Sequence, residues 1–254
     1  MTIALCFLTY SDLENSQIWY KYLENHLNDI NIYIHSKNPI KQPFFKQYRC
    51  RKIVPTRRKE DISIVQATLS MLAEAYRNEN NTHFLFICQS SIPLVPFEKL
   101  KNIISGSEKS MIKQFIGNCA FRYHRLNSGF KTVYPFKSFV KQHPNMMLIR
   151  KHVQLFLKTK YYLNYFKDIT CPDEHYFINI LKLHKLNDEI DNRQITFCNY
   201  ILNRTQGLEH RELPLQNMLK IISIGFLFIR KISPKTNLNI FYHKYIYGQL
   251  ANSK

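Results

Sequence analysis

Glycine is scarce, with 6 in 254 residues. No GxGxxG follows the first strand-like run and no GxxxxGK[ST] occurs, so the chain has neither a Rossmann dinucleotide fingerprint nor a P-loop. A GxSxG nucleophile elbow is missing as well. Hydride transfer, ATP hydrolysis and α/β-hydrolase chemistry thereby lose their sequence basis. The six cysteines, Cys6, Cys50, Cys88, Cys119, Cys171 and Cys198, form no CxxC pair and no Cys/His pattern of zinc spacing, which argues against a cysteine metal centre and for a reducing compartment. Cys6, Cys88 and Cys198 sit in apolar strand-like runs, where a small buried hydrophobe is expected. No apolar run approaches the roughly 18 to 20 residues of a membrane span; the best candidate, Ile221 to Ile229, is bracketed by Lys220 and Arg230. The opening MTIALCFLTYSDLE has no basic segment ahead of its apolar stretch, so the expectation is no signal peptide, no membrane anchor and a cytoplasmic location.

Acidic residues are also few, 18 against 36 Lys+Arg, for a formal charge of +18. Such an excess attracts phosphates, polyanions or an anionic membrane surface. The cations are spread from Lys21 to Lys254 rather than gathered in a tail or on one helix, which speaks against a nucleic-acid arm. The 16 Tyr and 18 Phe could stack on bases, but Phe84, Phe86, Phe177, Phe226 and Phe228 fall in periodic apolar patterns that predict core packing. No nucleic-acid partner is expected. A basic nucleic-acid-binding or glycan-binding protein without catalysis is the alternative class, and peripheral membrane contact stays open.

The length and 45% hydrophobic content predict one compact domain over 1–254. Strands are predicted at Thr2–Thr9, Asn31–His35, His83–Cys88, Met146–Arg150, Gln194–Ile201 and Gly225–Arg230. Between them, helical spacing is clearest over Ile62–Tyr76, where Ile62, Val65, Leu69, Leu72 and Tyr76 recur and Asp61 is placed to cap. Further helices are predicted near Asp12–Leu27, Phe97–Ile104, His152–Phe166, Pro172–His184, Leu215–Ile222 and Leu238–Leu250. The alternation predicts a mixed α/β sheet flanked by helices, with ligands beyond the carboxyl ends of its strands. The polar, basic stretch Ser105–Lys137 reads as a long excursion.

The segment CPDEHYFINIL, 171–181, places Pro172 in a first helical turn and Asp173 and Glu174 at the positive helix end, where a carboxylate is held ionised. That suits a general base, although acidic residues in a first turn are also ordinary helix punctuation. The segment resembles the PDE-containing helix of the Core-2/I-branching β-1,6-N-acetylglucosaminyltransferase family and its xylosyltransferase relatives. FLFICQSSIPLVPFEKL (Phe84–Leu100), EDISIVQATLSMLAEAY (60–76), NIYIHSKNP (Asn31–Pro39), NMMLIRKHVQLFL (Asn145–Leu157) and GFLFIRKISP (Gly225–Pro234) are similar to other segments of that family, in the same order. The resemblance covers about Ile3 to Pro234.

It implies a GT-A-like fold and an inverting transfer from a UDP-sugar, GlcNAc first and xylose second, to an oligosaccharide or glycoprotein acceptor. No Asp-x-Asp occurs in the chain, and the family's mechanism dispenses with a metal, so neither metal nor other cofactor is expected. Residue by residue, Glu174 takes the place of the catalytic base, and Arg211 in LEHREL and Lys231 in FIRKIS take the places of the cations on the departing diphosphate. Arg193 and Arg230 are the nearest competitors for those places. Tyr10, His35, Ser36 and Arg58 are expected near the nucleotide, and Gln89, Ser90, Ser91 and Asp173 near the donor sugar or acceptor. Arg57, beside Arg58, is expected either to meet phosphate or to face water. The resemblance further divides the chain into a nucleotide-sugar-binding half (1–104), an acceptor and catalytic half (105–234) and a C-terminal helix (235–254). A compact member without an anchor suits a microbe or a large virus, with a host-cytoplasmic location in the second case.

Overall fold

The structure is a computed structural model that describes residues 1–57, 61–115, 117, 119–198 and 214–248. Its strands in chain order are β1 (Thr2–Thr9), β2 (Ile30–Ser36), β3 (Asn81–Cys88), β4 (Ile92–Pro93), β5 (Ser110–Met111), β6 (Gln114–Phe115), β7 (Lys141–Gln142), β8 (Met147–Ile149), β9 (Ile190–Asp191), β10 (Thr196–Cys198) and β11 (Phe228–Arg230). Six of them form a mixed sheet in the order β2-β1-β3-β8-β5-β9. β2, β1 and β3 are parallel, β8 runs antiparallel to both of its neighbours, and β5 pairs parallel with β9. A small second sheet, β10-β11-β4, and the β6-β7 pair complete the strands among the described residues.

Parallel strands must be covered on both faces, and the sequence shows it as near-continuous apolar runs. In β1, Ile3, Leu5 and Phe7 point into one core, while Ala4 and Cys6 point into the other. The first core is closed by Trp19, Tyr22 and Leu23 of the Ser16–Leu23 helix, by Leu100 and Ile104 of the Phe97–Ser105 helix and by Met218 and Ile221 of the Leu215–Ser223 helix. The second is closed by the Ser63–Tyr76, Arg150–Lys158 and Tyr176–Leu183 helices through Val65, Leu72, Val153, Phe156, Phe177 and Leu181. The mixed α/β layout expected from the sequence is the one observed. No described helix is long and apolar enough to cross a membrane.

Several element bounds differ from the sequence reading, each for a local reason. The first helix begins only at Ser16, because Asp12 spends its carboxylate on the backbone N–H groups of Lys41 and Gln42. Asp61 does accept the Ser63 N–H at 2.8 Å, at the head of the Ser63–Tyr76 helix. Arg150, expected to end a strand, instead starts a helix. Its guanidinium donates to the carbonyls of Tyr76, Asn78 and Asn81, gathering the end of the Ser63–Tyr76 helix and the start of β3. The helix expected over His152–Phe166 breaks at Thr159, whose hydroxyl bonds back to the Leu155 carbonyl. Gly225, at φ 102°, makes a turn open to glycine, so β11 starts at Phe228. The stretch Ser105–Lys137 is not an unstructured excursion: it holds β5, β6 and the short helices Ala120–His124 and Ser128–Val133. The C-terminal helix is represented by Asn239–Phe241 and a π-type turn, Tyr242–Tyr247; 249–254 lie outside the described residues.

Trp19, the single tryptophan, is fully buried, meets Phe7 edge-on at 5.0 Å and donates its Nε1–H to the Ser91 carbonyl at 2.8 Å. Trp19→Phe keeps most of the packing and orphans that carbonyl. Unfolding free energy should drop by about 1–3 kcal/mol, seen by circular dichroism as a lower urea midpoint at unchanged slope. An unmoved midpoint would show that the bond carries no stability.

Candidate active site

The carboxyl ends of β1 and β3 and the amino end of antiparallel β8 open onto one cavity of ≈ 950 Å³. Thr9 and Tyr10 come from the end of β1, Cys88, Gln89 and Ser90 from the end of β3, and Pro144 to Met146 from the turn into β8. Arg230 and Lys231, where β11 ends, supply a further wall together with Thr56 and Arg57. This is the place where an open α/β sheet binds ligands.

Backbone and amide bonds hold these strand ends in register. Gln89 accepts the Tyr10 N–H at 2.7 Å with its Oε1 and donates through Nε2 to Glu14 at 2.7 Å, while the Glu14 N–H returns to the Gln89 carbonyl. The Ser90 carbonyl accepts the Ile232 N–H at 2.9 Å, and Asn15 donates its Nδ2–H to the Ile232 carbonyl at 3.1 Å. Arg230 and Lys231 are thus fixed over the cavity by the residue that follows them.

Among the described residues, the lining carries four cations, Lys37, Arg57, Arg230 and Lys231, against two carboxylates, Glu14 and Asp173. Glu14 is occupied by Gln89, and Arg230 donates to the Asn145 amide oxygen at 3.2 Å. Such a wall favours a ligand with several negative charges close together, and a concave site focuses the field that draws it in.

The Pro-Asp-Glu segment is a single 3₁₀ turn, Pro172–Glu174, separated from the Tyr176–Leu183 helix by His175. Cys171 enters it in the left-handed conformation, φ 52°, uncommon for a residue with a Cβ and concentrated at functional sites. The two carboxylates then part company. Asp173 lines the cavity, and its Oδ1 is buried with no hydrogen-bond partner. Glu174 is absent from the cavity wall and pairs with the Lys141 ammonium at 2.9 Å. The expectation that a helix end keeps this pair of carboxylates ionised is corrected for Asp173. Burial, and then the neighbouring Glu174 charge, push it up to about 7 against opposing backbone N–H bonds and Arg230. One short turn sets up too little dipole to offset that desolvation.

Of the other residues singled out from the sequence, the cavity brings together Tyr10, Gln89, Ser90, Asp173 and Lys231. His35 is fully buried off the cavity; its Nε2 accepts the Val54 N–H at 2.9 Å, and burial lowers its basicity. Ser36 turns its hydroxyl to the Asn38 carbonyl. Ser91 faces the Cys88 thiol at 2.9 Å inside the core. Arg58 and Arg211 lie outside the described residues. Between the two competing arginines, Arg230 lines the cavity and Arg193 donates to the Gly225 carbonyl instead. Sequence reading missed Asn145, Pro144 and Lys37. The signal for the first two was the Met146–Arg150 strand: run antiparallel, its beginning, not its end, faces the ligand edge.

Two constellations outside the cavity have suggestive chemistry. Ser110 Oγ lies 2.7 Å from His152 Nδ1, and His152 Nε2 lies 2.8 Å from Glu189, the distances of a nucleophile triad. Ser110 and His152 are buried, and the serine oxygen already accepts the Ile149 N–H, so the chain of bonds ties β5 and β8 to the Arg150–Lys158 helix. Among the described residues His26, Asp29 and Glu98 form the one three-ligand group, but Lys101 occupies Asp29 at 2.7 Å and none of the three lines the cavity.

A sequence model described as Branch: Core-2/I-Branching enzyme matches residues 3–229. Glycosyltransferase BC10 of Oryza sativa subsp. japonica is 25% identical over 177 residues, covering 59% of this chain and 44% of the rice protein; the match spans less than half of that relative's length. Solved structures similar to the chain at 10% identity include the galactosyltransferase LgtC in complex with donor and acceptor sugar analogues (73% of this chain, 72% of that one, TM-score 0.38). The WbbM bifunctional glycosyltransferase in its apo form is another (96% and 49%, TM-score 0.44).

Asp173 also sets a pH dependence. A carboxyl whose folded value, about 7, lies above its unfolded 3.8 binds its proton more tightly when folded. It therefore stabilises fully below the unfolded value, and that contribution is lost as pH rises through about 7. His143 and His175, pushed down to about 4 chiefly by burial, act in the opposite sense, so the informative quantity is a difference. The Tm of the wild type minus that of Asp173→Asn should fall steadily from about pH 4 to about pH 8. A difference constant across that range would mean an ordinary carboxyl.

Proposed function

The chain belongs to the Core-2/I-branching enzyme family, and on that premise we propose that it is an inverting, metal-independent glycosyltransferase acting from a UDP-sugar onto a glycan hydroxyl. The observation that carries the proposal is the cavity at the sheet's carboxyl edge, walled by Lys37, Arg57, Arg230 and Lys231 and bordered by the Asp173–Glu174 turn. A departing diphosphate develops charge on its oxygens, and cations already in place lower the barrier without reorganising. Lys231 is a compact point charge there, whereas an arginine can hold two phosphate oxygens at once. Arg211 joins them by its place in the family pattern.

The acceptor hydroxyl attacks the anomeric carbon opposite the departing UDP, inverting that centre while a carboxylate takes the hydroxyl proton. The family pattern assigns this base to Glu174, whose carboxylate pairs with the Lys141 ammonium. The geometry favours a second reading at this step, because Asp173 lies on the cavity wall and Glu174 does not. N-Acetylglucosamine is the first choice of donor sugar and xylose the second, with an oligosaccharide or glycoprotein as acceptor, all from family membership.

Turnover of a nucleotide sugar should persist in EDTA; strict dependence on Mn²⁺ would refute the metal-free mechanism. Glu174→Gln should cut kcat by about 10²–10⁴-fold while UDP affinity holds. Unchanged turnover in that variant, with loss in Asp173→Asn, moves the base to Asp173. Lys231→Ala should weaken UDP binding by about 1.5–3 kcal/mol. If no nucleotide sugar is turned over although UDP binds, the chain is a binding protein without catalysis.

A further inference from the structure

A second cavity, of ≈ 530 Å³, lies on the outer side of the Ser63–Tyr76 helix, clear of the proposed active site. Arg51, Lys52, Arg77, which follows the helix, and Lys160 line it, together with Leu69 and Leu163. Among the described residues, Glu74 is the one acidic residue of the lining. Both of its carboxylate oxygens accept the Arg51 backbone N–H, at 3.0 and 3.3 Å, so it is partly spent on the main chain. Among the described residues, none of the four cations has a carboxylate within ion-pair distance. The Ser70 hydroxyl donates to the Lys52 carbonyl at 3.2 Å, pinning the Arg51–Lys52 segment against the helix.

Four like charges around one concavity repel one another, here across solvent because Arg51, Lys52, Arg77 and Lys160 are exposed. An anion placed among them relieves the repulsion and takes several charge-assisted hydrogen bonds at once. A carboxylate ligand could answer one cation, whereas a tetrahedral phosphate has oxygens enough for guanidinium and ammonium donors arriving from different sides. We propose that this cavity is a second anion site that binds the phosphate of a phosphorylated ligand, either a free phosphate compound or the headgroup of an anionic lipid.

The site stands back to back with the first cavity. The segment that gives Arg51, Lys52 and Val54 to the second cavity continues into Thr56 and Arg57 of the first. The same helix gives Ile64 and Thr68 to the first, and Gln66, Leu69, Ser70 and Glu74 to the second.

Two probes separate the sources, each applied to the full chain at a fixed ionic strength of about 0.1 M: inorganic phosphate, followed by thermal shift, and vesicles of phosphatidylcholine with one-third phosphatidic acid, followed by co-sedimentation. The variants are Arg77→Ala/Lys160→Ala and, as an independent pair, Arg51→Gln/Lys52→Gln, with Lys231→Ala marking the first cavity. Stabilisation by phosphate that survives in Lys231→Ala and weakens about tenfold in both double variants supports the site with a soluble ligand. Vesicle binding lost in both double variants, without a phosphate effect, supports it with a lipid headgroup. Wild type that responds to neither probe, or double variants that respond as wild type does, overturns the proposal. Sugar-nucleotide turnover should be retained in both double variants, so failure here is distinct from failure of the active-site assignment.

Discussion

The Ile232 N–H donates to the Ser90 carbonyl at 2.9 Å, and on this contact hangs the placement of Arg230 and Lys231 over the main cavity. Ser90 belongs to the turn that ends β3, and Ile232 follows the two cations that end β11, so one bond joins the carboxyl edge of the large sheet to the end of the small one. Asn15 secures the other side of Ile232, and Trp19 secures Ser91 from beneath. The first helix is thus less a cover for the sheet than a clamp, its buried indole and amide both aimed at backbone carbonyls. A chain with a formal charge of +18 has no shortage of cations. What it needs is a way to hold Arg230 and Lys231 where β1 and β3 point, and the clamp supplies it.

Holding cations together raises a cost that the rest of the site offsets. Asn145 takes a hydrogen bond from Arg230, and Gln89 occupies Glu14, leaving Asp173 as the cavity's carboxylate without a side-chain partner among those bonds. Burial raises its proton affinity to the neutral range, so near pH 7 it can hold or release a proton. Glu174, one residue on, is absent from the cavity wall and pairs with its own cation, Lys141. The turn therefore offers two carboxylates with different environments side by side, the arrangement by which protein sites separate acid from base roles.

Much of this was legible in the residues. β1, β2 and β3 show as apolar runs because parallel strands are covered on both faces, and the Ser63–Tyr76 helix shows because its buried residues recur at helical spacing. Tyr10, Gln89, Ser90 and Lys231 could be named from position alone: each follows or ends a strand on the ligand edge. Other features were hidden for physical reasons. Two-residue strands such as β5 and β9 have no periodicity to read, so 105–137 looked irregular although β5 belongs to the main sheet. Strand direction is not encoded in an apolar run either, and for that reason Asn145 and Pro144 went unnoticed at the amino end of β8. His35 and Ser36 end β2 and Ser91 lies just past β3, but their side chains turn to Val54, Asn38 and Cys88; which way a residue at a strand end faces is set by partners that an apolar run does not reveal.

The most direct test of the central claim, a diphosphate site built from fixed cations at the sheet's carboxyl edge, is calorimetric titration of the chain with UDP, UMP and uridine at low and at raised salt, with EDTA present. The account predicts affinity in the order UDP, UMP, uridine, with the advantage of UDP shrinking as salt screens the cavity. Equal affinity for UDP and uridine, unchanged by salt, would contradict it.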